Sequence, residues 1–235
     1  MGLYYNKKRN GVGSQSEASQ LVHDNEELIE IKGYQSYKIE NKCRILTNNS
    51  KMNKQLNMLK TINYDGCVSV CDIGCSNGFF GIWYLFNTPI KHVSFMDHDV
   101  ECSTNLGKLL QTIVLNNYEI INKNFIEGMQ SNVKADVVLM LSLIHWLYSC
   151  TTQTGCLFEI IKMVRENTNK MLIIEWIDNE DHAIKSFKHT HFNKSNQKTM
   201  YNVENFEKAL KLYFNKVEKI GCTNTQTRVL YVAYV

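Results

Sequence analysis

The rhythm of apolar positions changes near residue 65. From Leu21 to Ile62 the pattern is helical in places, and Met52, Leu56 and Leu59 recur at spacings of four and three, which predicts an amphipathic helix. Beyond residue 65, short β-rich and mostly apolar runs alternate with helical stretches. Val68–Cys71, Val93–Met96, Tyr118–Ile121, Val137–Leu141 and Met171–Trp176 read as strands. Between them, Phe79–Phe86, Val100–Leu115, Ile144–Tyr148 and Leu157–Val164 read as helices, the first ending near Pro89. Val203–Phe214 is amphipathic, with Phe206, Leu210 and Phe214 on one face, and Lys216–Ile220 and Arg228–Val235 close the chain as two strands.

Mostly apolar strands alternating with helices predict a buried and mostly parallel sheet with helices on both faces. The final pair predicts an antiparallel hairpin at one edge. The expected fold is therefore α/β and Rossmann-like, with seven strands. The expected organisation is a polar tail over residues 1–20, a helical N-terminal segment over 21–62 and one domain over 63–235. A chain of 235 residues buries enough surface to fold without disulfides or metal.

Composition changes this picture little. The 44% apolar and 21% charged shares are ordinary, and a formal net charge of +3 neither requires nor excludes a nucleic-acid partner. No apolar run approaches the length of a membrane span, so the expectation is a cytoplasmic protein with no membrane partner. The 8 cysteines form no C-x-x-C pair, and Cys67, Cys71 and Cys75, four apart, do not match a zinc spacing; no metal site is expected. Met1-Gly2 begins a myristoylation pattern, but Asn6 stands where that pattern needs Ser or Thr. Lys7-Lys8-Arg9 makes a small basic patch in the tail.

The chemistry-bearing segment is Asp72-Ile73-Gly74-Cys75-Ser76-Asn77-Gly78, which ends a strand and opens the helix at Phe79. Gly74 and Gly78 allow the backbone to approach a ligand closely, and the helix start offers free N–H groups. Asp97 ends the next strand at the spacing of an acid that accepts both hydroxyls of a ribose. Asp99 suits a helix cap. The letters Gly74-Cys75-Ser76-Asn77-Gly78 also fit a hydrolase nucleophile elbow, with Ser76 as nucleophile and His189 or His191 as base. That alternative leaves Asp72 and Asp97 without a role, and an elbow normally follows several earlier strands.

The segment Asp72–Gly81 resembles motif I of the class I S-adenosylmethionine (SAM)-dependent methyltransferases. The pair Phe79-Phe80 is similar to bacterial O-antigen chain-terminating and other saccharide-modifying members. Asp136–Trp146, Ile173–Trp176 and Arg228–Tyr231 resemble the family's fourth, fifth and closing strands, so the likeness covers about residues 65–235. The resemblance implies SAM as cofactor and S-adenosylhomocysteine as product. It implies that Asp72, Gly74 and Gly78, with Cys75, Ser76, Asn77 and Phe79 of the same cradle, line the methionine side. Asp97 would hold the ribose, His98 would lie beside the adenine, Asn124 and Phe125 would border it, and Ser142 would close the site. Arg44 would reach the SAM carboxylate, or else make a surface ion pair.

Acceptors in open α/β sheets lie beyond the carboxyl ends of the strands, where His145, Trp146, Glu175, Trp176 and Asp178 fall. His145 is the expected base for a hydroxyl acceptor, with Glu175 and Asp178 as the other acidic or basic candidates. His182, His189 and His191 lie in a polar link from Asp178 to Tyr201 that reads as a substrate loop or as plain surface. The expected function is O-methylation of a saccharide or sugar-nucleotide hydroxyl. RNA, through a terminal phosphate or a ribose, is the alternative acceptor, and a non-catalytic partner subunit is the third possibility.

Overall fold

The computed structural model describes residues 28–150, 155–185, 200–223 and 225–235. The tail, His189 and His191 lie outside the described residues.

Seven strands form one sheet: β4 (Ser69–Ile73), β5 (His92–Asp97), β6 (Tyr118–Asn122), β7 (Ala135–Met140), β8 (Thr168–Ile177), β9 (Lys216–Cys222) and β10 (Arg228–Tyr234). Their order is β6-β5-β4-β7-β8-β10-β9. The first five in that order run parallel, and β10 is antiparallel to both β8 and β9. The closing hairpin is thus as expected. Every residue of β7 is buried, because it is a central strand covered on both faces. Alternate residues enter different layers: Val137 and Leu139 join the cluster with Phe79 and Ile82, while Val138 and Met140 join the cluster with Ile160 and Phe206.

Residues 28–46 differ from the helical expectation. They form a separate antiparallel sheet of β1 (Leu28–Ile31), β2 (Tyr37–Glu40) and β3 (Arg44–Leu46). Ile29, Ile31, Tyr37 and Ile39 alternate inward with polar neighbours, a period of two spread over strands of three or four residues. Among the described residues of this part the only helix is α1 (Ser50–Leu59), which buries Met52, Leu56 and Leu59 as expected and is capped by Asn49, whose side chain accepts from the Met52 N–H at 3.1 Å. The small sheet packs on α2 (Phe79–Asn87), where the Tyr37 and Phe79 rings meet edge to face at 5.3 Å.

From β4 the chain moves outward through α2 to β5, then through α3 (Val100–Thr112) to β6. It then returns through α4 (Phe125–Gln130) to β7 on the other side of β4. The strand order therefore reverses between β4 and β7, which is where open α/β sheets place their ligand crevice. Helices α5 (Ile144–Cys150), α6 (Leu157–Glu166), α7 (His182–Lys185) and α8 (Val203–Tyr213) complete the layers. Among the described residues no helix is long and apolar enough to cross a membrane.

Candidate active site

A cavity of ≈ 240 Å³ opens at the β4/β7 reversal. Asp72 and Gly74 enter it from the end of β4, Asp97 and His98 from β5, Leu141, Ser142 and Leu143 from β7, and Lys51 and Gln55 from α1. Tyr34 and Trp146 stand at its rim, 72% and 44% exposed; they are the large aromatic side chains most open to solvent among the described residues.

The glycine turn is built by backbone. The Met96 carbonyl accepts from the Gly74 and Cys75 N–H groups at 2.8 and 3.1 Å, tying the turn to β5. Gly78 has φ +78°, and a Cβ there would lie 2.5 Å from Leu106 Cδ1, so both its conformation and its space call for glycine. The Asp97 carboxylate accepts from the Ser76 N–H at 2.8 Å and the Asp99 N–H at 3.0 Å. This fixes its direction and leaves carboxylate lone pairs for a diol. Asp99 caps α3, accepting from the Cys102 N–H at 2.9 Å.

Asp72 is buried, and among the described residues its carboxyl accepts one hydrogen bond, from the Gly81 N–H at 3.2 Å. Burial pushes its pKa up to about 7, with the nearby Asp97 charge adding to the rise and the Gly81 bond opposing it. A buried acid that ionises reluctantly, set beside a cavity, fits a ligand that carries positive charge.

Glu175 is fully buried behind Ser142. It accepts from Ser142 Oγ at 2.7 Å, Gln55 Nε2 at 3.0 Å and the Thr223 hydroxyl, and Lys51 Nζ lies 4.0 Å away. Lys51 Nζ also donates to Ser142 Oγ at 2.6 Å. Ser142 itself has φ +54°, uncommon for a residue with a side chain.

Several expected site residues stand elsewhere. His145 is 2% exposed and does not line the cavity; burial drives its pKa down to about 3, with Arg228 and Lys51 adding to the fall. An imidazole so placed does not fit the role of acceptor base. Its neighbour Trp146 takes the cavity side, because successive helical residues point about 100° apart. Arg44 lies on β3 with its side chain 70% exposed, paired to Glu40 at 3.4 Å, the surface pair weighed as its alternative. Asn124 caps α4 by accepting from the Glu127 N–H at 3.1 Å, and Phe125 is buried in the core; neither lines the cavity. Asp178 accepts from the Glu180 N–H at 2.9 Å in a turn and also lies outside it. Cys75 is buried, and Ser76 and Asn77 face a second cavity against α3. The Phe79 N–H is taken by Gln35 Oε1 at 3.3 Å.

Sequence reading missed Lys51, Gln55 and Gln35. One signal was present: Gln55 interrupts the apolar face of α1 between Met52 and Leu56, and a buried amide on such a face needs a polar partner.

No protein-family model matches the sequence, and no curated protein matches it. Solved structures do. The bifunctional kinase-methyltransferase WbdD superposes with a TM-score of 0.56 at 14% identity, over 78% of this chain and 38% of that one. An O-methyltransferase family protein from Burkholderia thailandensis gives 0.56 at 12% identity, over 77% and 55%. The SAM-bound magnesium protoporphyrin IX methyltransferase from Synechocystis PCC 6803 gives 0.53 at 14% identity, over 80% and 84%. The chain thus spans less than two thirds of the first two proteins. At these identities the likeness is one of architecture: this chain has the Rossmann-like fold of the class I SAM-dependent methyltransferases.

Proposed function

We propose that this protein is a SAM-dependent methyltransferase acting on a hydroxyl of a saccharide or sugar nucleotide. The observation that carries the proposal is the convergence of Asp72, Gly74 and Asp97 on one cavity at the strand-order reversal. Each has a physical use there. Asp97 is oriented to accept the two hydroxyls of a ribose. Gly74, at φ +71°, brings bare backbone to the ligand. Asp72 gains its charge when a cation sits beside it. SAM supplies an activated methyl group on a sulfonium, and its net positive charge suits this pair of acids.

The chain's own task is then to align an acceptor. The exposed rings of Tyr34 and Trp146 at the rim suit the apolar face of a sugar ring. The similarity to an O-methyltransferase family protein agrees with an oxygen acceptor.

Calorimetry with SAM and S-adenosylhomocysteine tests the cofactor, and transfer of labelled methyl to UDP-glucose and to a 5′-phosphorylated oligoribonucleotide tests the acceptor class. Binding of both cofactor forms and labelling of the sugar nucleotide are expected. Silence with both at millimolar concentration removes the methyltransferase reading. Labelling of the oligoribonucleotide that collapses with added salt shifts the acceptor to RNA.

A further inference from the structure

The hydrogen-bonded series Lys51–Ser142–Glu175 joins three segments far apart in the chain and ends in the cavity. Lys51 Nζ has one of its three N–H donors on Ser142 Oγ, and its side chain is 19% exposed, toward the cavity it lines. Glu175 behind it is held by Gln55 and Thr223 as well as Ser142, so the carboxylate is fixed.

Opposed influences act on the Lys51 ammonium. Burial disfavours its charge, Glu175 favours it, Arg228 disfavours it and Asp181 favours it; burial wins, and its pKa lies below that of a free lysine. Asp72, Asp97 and His98 line the same cavity. Because Ser142 follows β7 and Gly74 follows β4, its neighbour in the sheet, a ligand seated on the glycine turn places its own charge in the cavity of Lys51. A second positive charge there pushes the ammonium further toward the amine.

We propose that Lys51 is the acceptor-side base: it releases its proton when the sulfonium cofactor binds and stands as a neutral amine toward the acceptor hydroxyl, with Ser142 and Glu175 as positioning residues. This rests on the methyltransferase reading above. In the transfer the acceptor O–H bond breaks and its proton goes to Nζ. The oxygen pair forms the new O–CH3 bond, and the S–CH3 pair returns to sulfur as a neutral thioether. The ammonium so formed lies 4.0 Å from Glu175 and gives up its proton to water when the next sulfonium cofactor binds.

Calorimetric titration in two buffers of different ionisation enthalpy counts the protons released on binding. S-adenosylhomocysteine is the control, because it shares the α-amino group of SAM and lacks the sulfonium charge. At about pH 8.5 Asp72 is already ionised and does not contribute. The wild type is expected to release more protons with SAM than with S-adenosylhomocysteine, and the excess should vanish in Lys51→Met and in Lys51→Arg. Arg cannot shed its charge, so Lys51→Arg should bind SAM severalfold more weakly than the wild type and S-adenosylhomocysteine equally well. An excess that persists in Lys51→Met overturns the proposal. So does loss of both ligands in Lys51→Met with full retention in Lys51→Arg, the pattern of a cation that only anchors the ligand's carboxylate. Absence of binding heat with either ligand in the wild type overturns the methyltransferase reading and the proposal with it.

Discussion

Replacing Asp72 by Asn is expected to stabilise the unliganded protein at mildly alkaline pH while weakening its hold on a cationic ligand. Asp72 is 3% exposed, and burial, with a smaller push from Asp97, raises its pKa from 3.8 to about 7. An acid whose folded pKa exceeds its unfolded value favours the folded state most at low pH. That advantage drains away as pH rises from about 4 through about 7 and is absent above. A rise of about 3 units at 1.36 kcal/mol each corresponds to stability on the order of 4 kcal/mol missing at about pH 8. Asn has the same shape, keeps an acceptor for the Gly81 N–H and never ionises. In a chain of this length 1 kcal/mol moves the melting temperature by roughly 2–4 °C. Asp72→Asn should therefore melt roughly 8–16 °C above the wild type at about pH 8 and close to it at about pH 4. Scanning fluorimetry across that range reads the difference. SAM should narrow the gap, giving the wild type a larger thermal shift at about pH 8 than at about pH 6 and the variant a smaller one at both. Coincident melting curves at every pH, or a gap that widens toward acid, would refute the reasoning.

Two further substitutions probe the frame of the site. Gly78→Ala forces a side chain into a left-handed turn and against Leu106 and Phe95, so it should lose about 1–3 kcal/mol, seen as a lower urea midpoint; an unchanged midpoint contradicts the packing described. His145, its pKa driven down to about 3 chiefly by burial, should stay neutral from about pH 5 to about pH 8, and its imidazole resonances should not move over that range. A titration centred near the ordinary histidine value would return His145 to the list of bases.

The middle of the seven-stranded sheet was readable because β4, β7, β8 and β10 are largely continuous apolar runs, as burial on both faces requires, whereas the edge strands β6 and β9 are partly exposed and carry polar residues. The β1–β3 sheet was not, because its inward residues are interleaved with Lys and Glu over strands of four residues or fewer, and the fold is decided by packing on α2. The same division holds at the site. Asp72, Gly74, Asp97 and Ser142 sit at strand ends, whose positions follow from local pattern. Lys51 and Gln55 reach partners 91 and 120 residues away, and that pairing has no local trace. His145 stands away from the cavity for a simpler reason: spacing gives a helix position but not which of two adjacent side chains faces the cavity, and Trp146 does.

The Gln35 contact gives α2 an unusual start. Gly78 at the cap position has no side chain to accept from the helix N–H groups; the Gly81 N–H goes to Asp72, the Phe79 N–H to Gln35 in the turn between β1 and β2, and the Asn77 carbonyl accepts from Tyr37 at 2.5 Å. The beginning of this helix is thus completed by residues that precede it by some forty positions. Hydrogen exchange at the Phe79 amide is therefore expected to report how firmly the small sheet is seated, with the sheet and the glycine turn opening together. Anything that steadies the turn slows that opening, including a ligand that never touches the sheet.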